Sequence, residues 1–180
     1  MKPPSSLLLG TALLVIVVIT LSVGCIGQAP TTSGKTPALV VTANTNFTRA
    51  VPPPYQDAEL FSIGAESGKV LGPVLAQISD DASRKDLASL GADSAKLSSL
   101  AGNYYFQMKE LNVSPKYQNW KTNYSMGLLD AQTAGDYFSK SAIAAQSEDY
   151  TTALTYLEQG QTLFQRSNMY INVATESIPQ

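Results

Sequence analysis

The sequence predicts an all-α protein: an antiparallel up-down-up-down four-helix bundle that follows an N-terminal apolar segment and a flexible tether. From Tyr55 onward, apolar and small residues recur at alternating spacings of three and four, which is the heptad pattern of helices packed in a left-handed bundle. Short polar breaks separate four such segments, and short connections make successive helices antiparallel. The chain is therefore expected to divide into an apolar segment (1–24), a tether (25–54) and the bundle domain (55–180).

The first two helices are predicted over 56–78 and 84–111. Asp81 and Ser83, in the polar run between them, are the candidate N-caps of the second helix. Pro73 lies inside the first helix, where proline removes a backbone hydrogen bond, so we expect either a kink there or two shorter helices. The second helix has a clear apolar seam, formed by Leu87, Leu90, Ser94, Leu97, Ala101, Tyr104, Met108 and Leu111.

The third and fourth helices are predicted over 115–146 and 149–177. Ser114 is the expected N-cap of the third helix, and Pro115 occupies the first-turn position that proline favours. Both helices have seams that mix small residues, which let backbones approach, with large ones that fill the space between. The seam residues are Trp120, Tyr124, Gly127, Ala131, Ala134, Phe138, Ser141 and Ala145 on the third helix, and Tyr150, Ala153, Leu157, Gly160, Phe164, Ser167, Ile171, Ala174 and Ile178 on the fourth.

Composition excludes several classes of function. The net charge of −2 and the absence of a basic patch argue against nucleic-acid binding. The chain has no histidine and one cysteine, which rules out histidine general bases, Cys–His nucleophiles and Cys/His zinc sites. The paired carboxylates Asp86/Asp93 and Asp130/Asp136 are expected on solvated helix faces. We therefore expect no enzymatic activity, no metal and no cofactor.

The N-terminus has the order of an export signal: Lys2, an apolar run over 6–23, and then Gly24-Cys25. This junction resembles the lipobox of prokaryotic lipoproteins, and the sequence Gly-Cys-Ile-Gly is similar to that of archaeal lipoproteins. Ser22 stands where that family usually has leucine. The resemblance implies cleavage before Cys25 and attachment of lipid to its thiol. The alternative is an uncleaved anchor helix, because an apolar run of about 18 residues can just span a bilayer.

Either anchor places the rest of the chain at the outer face of the cytoplasmic membrane or on the cell surface. The tether is rich in Thr, Pro, Gly and Asn, and ends in three consecutive prolines that favour an extended spacer. Asn46 in the tether and Asn123 in the third helix stand in Asn-X-Ser/Thr sequons and are the candidate glycosylation sites.

The last segment resembles the second helix of a tetratricopeptide repeat at Tyr150, Ala153 and Gly160. The resemblance covers about 20 residues, and there is no second copy of the repeat. It implies that the last two helices pair as the helix hairpin of such a repeat. The alternative is a plain helix hairpin in which alanine and glycine permit close packing.

Aromatic residues flank the second break. Tyr105 and Phe106 precede it, whereas Tyr117 and Asn119 follow it, so these four are the candidate partner-binding residues at one end of the bundle. Their neighbours Tyr104, Trp120 and Tyr124 are expected in the core, given their seam spacing. The predicted function is a non-catalytic helical binding or scaffolding module for an envelope protein or glycan. The alternative is an accessory or small-ligand-binding lipoprotein of a transporter or envelope machine.

Overall fold

The computed structural model describes residues 54–178, and every regular element in that range is helical. The elements are α1 (Asp57–Arg84), α2 (Leu87–Glu110), a 3₁₀ turn (Pro115–Tyr117), α3 (Gln118–Gln146) and α4 (Tyr150–Glu176). Each helix runs antiparallel to the one before it, and the closest helix–helix packing joins chain neighbours: α1 with α2, α2 with α3 and α3 with α4. The predicted all-α antiparallel four-helix bundle is confirmed.

The first turn between helices lies later in the chain than predicted. α1 continues through the polar run and ends at Arg84, because Lys85 takes a left-handed conformation with φ 59°. Asp86 then caps α2, its carboxylate accepting a hydrogen bond from the backbone N–H three residues later at 3.1 Å. The predicted caps Asp81 and Ser83 are therefore wrong, since both lie inside α1.

α1 is a single helix of 28 residues that contains Pro73, so the alternative of two shorter helices is wrong. Proline is accommodated because its ring lies on the solvent-exposed side of the helix. The opposite side faces the rest of the bundle through Leu60, Ile63, Gly64, Ser67, Leu71, Val74, Ile78, Asp81 and Ala82.

The second connection ties the start of α1 to the start of α3. Ser114 makes no side-chain cap; its backbone N–H donates instead to Asp57 Oδ1 at 2.8 Å. The Gln56 backbone N–H likewise donates to the Asn112 carbonyl at 2.8 Å. The 3₁₀ turn follows Ser114, so α3 begins at Gln118, three residues later than predicted. The beginning of α1 therefore lies beside the end of α2.

Small residues set the spacing of the last three helices. A Cβ added to Gly135 on α3 would lie 2.7 Å from the Ser94 carbonyl oxygen of α2, so these two backbones are in direct contact. α4 buries only four residues, all small and seven apart: Ala153, Gly160, Ser167 and Ala174. Of the larger members of its predicted seam, Leu157, Phe164 and Ile171 are half-buried, whereas the prediction is wrong for Tyr150 and Ile178, which are exposed. Only the four small residues of that seam are thus fully buried.

Candidate binding surfaces

Tyr105 and Phe106 form an aromatic pair on the outside of α2. Their ring centroids lie 5.3 Å apart at an interplanar angle of 62°. Tyr105 is half-buried against the core, whereas Phe106 is 57% exposed. The Lys109 ammonium lies 5.9 Å from the centre of the Tyr105 ring, within the range of a cation–π contact. The pair therefore offers apolar area bordered by a positive charge.

Tyr117 and Asn119 lie at the same end of the bundle but have different neighbours. The Tyr117 ring packs edge-on against Phe61 of α1 at a centroid distance of 4.9 Å, and the Lys116 ammonium lies 4.6 Å from its centre. Asn119 is exposed. Within residues 54–178, no ring contact joins Tyr117 to the aromatic pair on α2. The four predicted binding residues share one end of the bundle and form two separate aromatic groups there.

Tyr104, Trp120 and Tyr124 are buried, as their seam spacing predicts. Trp120 and Tyr124 stack with ring centroids 4.7 Å apart and planes at 11°. The Tyr124 hydroxyl donates to the Gly64 carbonyl at 3.0 Å and lies 2.9 Å from the Ser67 hydroxyl. Burial raises the pKa of Tyr124, and the bond with Ser67 acts in the opposite direction. These rings therefore hold α1 on α3 and leave no free face for a ligand.

An apolar surface on α4 was missed by the sequence reasoning. Large apolar side chains are exposed near both ends of this helix, at Tyr150, Leu154, Met169 and Val173, and just after it, at Ile178. Met169 and Val173 are one helical turn apart, with exposed fractions of 52% and 43%. The signal that could have found them is the seven-residue spacing of small residues, because a narrow stripe of contact leaves the large side chains outside it.

A shallow groove of about 510 Å³ runs between α3 and α4. Its lining combines one aromatic ring with hydroxyl, amide and carboxyl groups, from Tyr137, Thr155, Glu158, Gln159, Thr162 and Leu163. Tyr137 is flanked by Tyr156, with ring centroids 6.0 Å apart, and by the Lys140 ammonium at 5.4 Å. The groove is open to solvent, and its lining offers an aromatic and aliphatic surface together with hydrogen-bonding groups.

The carboxylates do not form a metal centre in the described part of the chain, where no group of three or more potential ligands is close enough to hold an ion. Asp136 is exposed as predicted, but the prediction is wrong for Asp130, which is 3% exposed. Asp130 accepts two hydrogen bonds of 2.6 Å from the Arg166 guanidinium. This bidentate contact raises the pKa of Arg166 and links α3 to α4.

Of the candidate modification sites, only Asn123 lies among the described residues. Asn123 lies within α3, where its side-chain amide donates to the Asn119 carbonyl at 3.0 Å. The hydroxyl of Ser125, the third residue of that sequon, is buried. We therefore do not expect glycosylation of Asn123 in the folded bundle. Asn46 and the lipid-attachment candidate Cys25 lie outside the described residues.

No helix within residues 54–178 combines the length and the apolar character that crossing a bilayer requires. No protein-family model matches the chain, and the comparisons with curated proteins and with solved structures give no match either.

Proposed function

We propose that this chain is a membrane-tethered extracytoplasmic lipoprotein whose helical bundle is a non-catalytic binding or scaffolding module. The observation that carries the proposal is the arrangement of α4. This helix contacts the bundle through a stripe of four small residues and exposes large apolar side chains near both of its ends. Apolar side chains clustered on an exposed surface are a common feature of protein–protein interfaces.

The geometry of α4 suits a partner that binds along a helix. Tyr150 and Leu154 are one turn apart near its beginning, and Met169 and Val173 are one turn apart near its end. Such pairs at i and i+4 are the usual anchors of a helix that lies against an apolar surface of another protein. Since the proposed anchor holds the bundle outside the cytoplasmic membrane, an envelope protein is the partner class that we propose.

The chemistry of the side chains also favours binding over catalysis. The chain has no histidine, and its one cysteine is at the proposed membrane junction. The buried polar contacts of the bundle, such as Asp130–Arg166 and Tyr124–Gly64, join one helix to another. Their side chains are thus used to hold the fold.

The test is recovery of partners with tagged full-length protein from native membranes, comparing wild type with Met169→Ser/Val173→Ser. The matched control is Gln165→Ser/Asn168→Ser, which changes two exposed polar residues of the same helix. We expect the first variant to lose a partner that the control and wild type retain, at unchanged helicity and melting temperature. Equal recovery by all three would remove α4 as the binding surface.

A second candidate function, small-ligand binding, is favoured by the groove at Tyr137. A hydroxyl-rich ligand such as a glycan could stack on an aromatic ring and bond to the amide and hydroxyl groups beside it. Tyr137→Ala would then abolish glycan binding measured by calorimetry and would leave partner recovery through α4 unchanged. Retained binding by this variant would exclude the groove.

A further inference from the structure

Met169 and Val173 form an apolar surface near the end of α4. They are one helical turn apart, and their side chains are 52% and 43% exposed in the described part of the chain. Glu176 follows three residues later on the same side of the helix and is also exposed. We call these three residues the α4 end patch. It offers apolar area with a negative charge at its edge.

The α4 end patch lies at the end of the bundle where the chain enters it. The Ser167 hydroxyl donates to the Gly127 carbonyl at 2.7 Å, so the last part of α4 lies beside the first part of α3. The start of α1 is at the same end, because the Phe61 ring packs against Trp120 with a centroid distance of 5.2 Å. The described part of the chain begins at residue 54, just before α1. Residue 54 and the patch therefore share one end of the bundle.

The tether before residue 54 matches the patch in its chemistry. Its longest apolar run is Ala-Leu-Val-Val at 38–41, which we call the apolar run. Lys35 and Arg49 flank this run, and the tether contains no acidic residue. All 14 acidic residues of the chain lie after residue 54, where they outnumber the basic ones. The tether is thus apolar at its centre and positive on either side, which complements an apolar patch edged by a glutamate.

The tether is also long enough to reach the patch. About 13 residues join the end of the apolar run to residue 54, and at about 3.3 Å per extended residue they span roughly 40 Å. Neighbouring helix axes are about 8–10 Å apart, so the outer side of α4 is roughly 30 Å from the start of α1 even across an intervening helix. The apolar run can therefore arrive at the patch without full extension of the chain.

We propose that the apolar run of the tether docks on Met169 and Val173 and covers the α4 end patch in the absence of a partner. The run packs against these two side chains, and Lys35 or Arg49 lies near Glu176. The tether and the partner proposed above then compete for one surface, so the partner binds by displacing the tether. This competition rests on the proposed function, whereas the docking itself does not.

Trypsin cleavage of the full-length chain in lipid nanodiscs measures the docking with no partner present. Trypsin cuts after Lys35 and Arg49, on either side of the apolar run. Cleavage of a docked segment requires its release, so the rate follows the released fraction. We expect Met169→Ser/Val173→Ser to be cut at both sites about tenfold faster than wild type, because most wild-type chains are docked. Equal rates for this variant and wild type would overturn the docking.

The matched control on α4 is Gln165→Ser/Asn168→Ser, which changes two exposed polar residues and leaves the patch intact. It should be cut at the wild-type rate. Rapid cleavage of this control as well would mean that any change on α4 releases the tether, and would contradict a specific contact with the patch. The melting temperature of each variant shows whether the bundle itself has been disturbed.

A change in the tether tests the same contact from the other side. Val40→Asp/Val41→Asp places two charges in the apolar run and should accelerate cleavage after Arg49. Thr31→Asp/Thr32→Asp adds the same charge outside the run and should leave that cleavage unchanged. Acceleration by both variants would assign the effect to charge alone and contradict apolar docking.

Photo-crosslinking locates the apolar run directly. Benzoylphenylalanine in place of Val40 should crosslink, within one chain, to the α4 peptide that contains Met169. A crosslinked product of twice the chain mass would assign the contact to a second copy. Crosslinks to lipid, or to another part of the bundle, would place the run elsewhere. Each of these three results overturns the proposal.

Partner recovery from native membranes separates this inference from the proposed function. If both are right, Val40→Asp/Val41→Asp should recover more partner than wild type. Slow wild-type cleavage and the α4 crosslink, with no partner recovered by any variant, would support the docking and contradict the proposed function. Fast wild-type cleavage, with a partner recovered equally by wild type and the tether variant, would contradict the docking and leave the proposed function in place.

Discussion

The indole ring of Trp120 on α3 occupies the space beside Gly64 on α1 so closely that a Cβ at residue 64 would lie 2.7 Å from Trp120 Cη2. Contacts of this length do not occur between relaxed carbon atoms. α1 therefore reaches its position on α3 only because residue 64 has no side chain. The same close approach lets the Tyr124 hydroxyl reach the Gly64 carbonyl.

Gly64→Ala is expected to destabilise the bundle by about 1–3 kcal/mol, because the ring or the helix must shift to admit a methyl group. Gly72→Ala, on the same helix, is the matched control: no atom lies within 4 Å of its added Cβ. That variant should be neutral or stabilising by up to about 1 kcal/mol, since alanine favours the helix. Urea unfolding followed by circular dichroism measures both. If the two variants lost the same free energy of unfolding, the Trp120 ring would have to move aside at little cost.

The two phenylalanines of the α3–α4 seam should differ in their contributions to stability. Phe138 is 9% exposed and packs against the face of Gly160, whereas Phe164 is only half-buried. Phe138→Ala should therefore lower the free energy of unfolding by about 3–5 kcal/mol, and Phe164→Ala by about half as much. Chemical denaturation of both variants tests the ranking. A larger loss for Phe164→Ala would mean that α4 sits differently on α3.

The helix caps predict an acid-dependent stability. Hydrogen bonds from the backbone and side chain of Ser89 lower the pKa of Asp86, and those from Thr152 lower that of Asp149. Their stabilisation is complete above the ordinary aspartate pKa and is lost as pH falls through the lowered folded value. Asp86→Ala and Asp149→Ala should thus melt below wild type at pH 7 and approach it in strong acid. Thermal melts across this pH range would refute this prediction if the difference in melting temperature between each variant and wild type stayed constant.

Substitutions in the two aromatic groups, at the end of α2 and at the start of α3, should have different effects on stability and on partner binding. Tyr117→Ala removes the edge-on contact with Phe61 and is expected to destabilise the bundle. Phe106→Ala removes an exposed ring and should leave stability within about 0.5 kcal/mol of wild type. If the predicted surface binds a partner, only Phe106→Ala should lower partner recovery at unchanged stability. Unchanged recovery would assign Phe106 no role in binding.

The anchor prediction depends on Cys25. Cys25→Ser should release the mature domain into the aqueous fraction or leave an uncleaved precursor, because serine cannot carry the thioether-linked lipid implied by the lipobox resemblance. Membrane fractionation with mass spectrometry distinguishes these products. A variant that stays in the membrane at the wild-type protein mass would favour the uncleaved anchor helix instead.

The seam of α2 was predictable because large apolar residues recur there at helical spacing, and all but the half-buried Leu87 are buried. The turn after α1 was not, because Lys85 provides a left-handed conformation that usually depends on glycine. Glu148 plays the same part before α4, with φ 63°. Neither residue type signals a helix end, so the polar run at 80–83 was mistaken for the turn.

The binding surfaces could be predicted only in part, because heptad spacing identifies which residues face a neighbouring helix but not how many helices pack around it. On α2 the seam residues are buried except for Leu87, so the spacing predicted their burial well. On α4, close approach through Gly160 and Ser167 concentrates the contact on a narrow stripe and exposes Met169.

The hydrogen bonds between Gln56 and Asn112 place the first turn of α1 at the same end of the rod as the second connection. Helices of 27–29 residues put the opposite end, where α4 starts at Tyr150, roughly 40 Å away. If the chain is anchored through its N-terminus, a partner pulling on Tyr150 and Leu154 would apply tension along the long axis. The helix interfaces would then be loaded in shear, with the Asp130–Arg166 bond and the interlocked Phe138–Gly160 contact resisting the slip of α4 past α3.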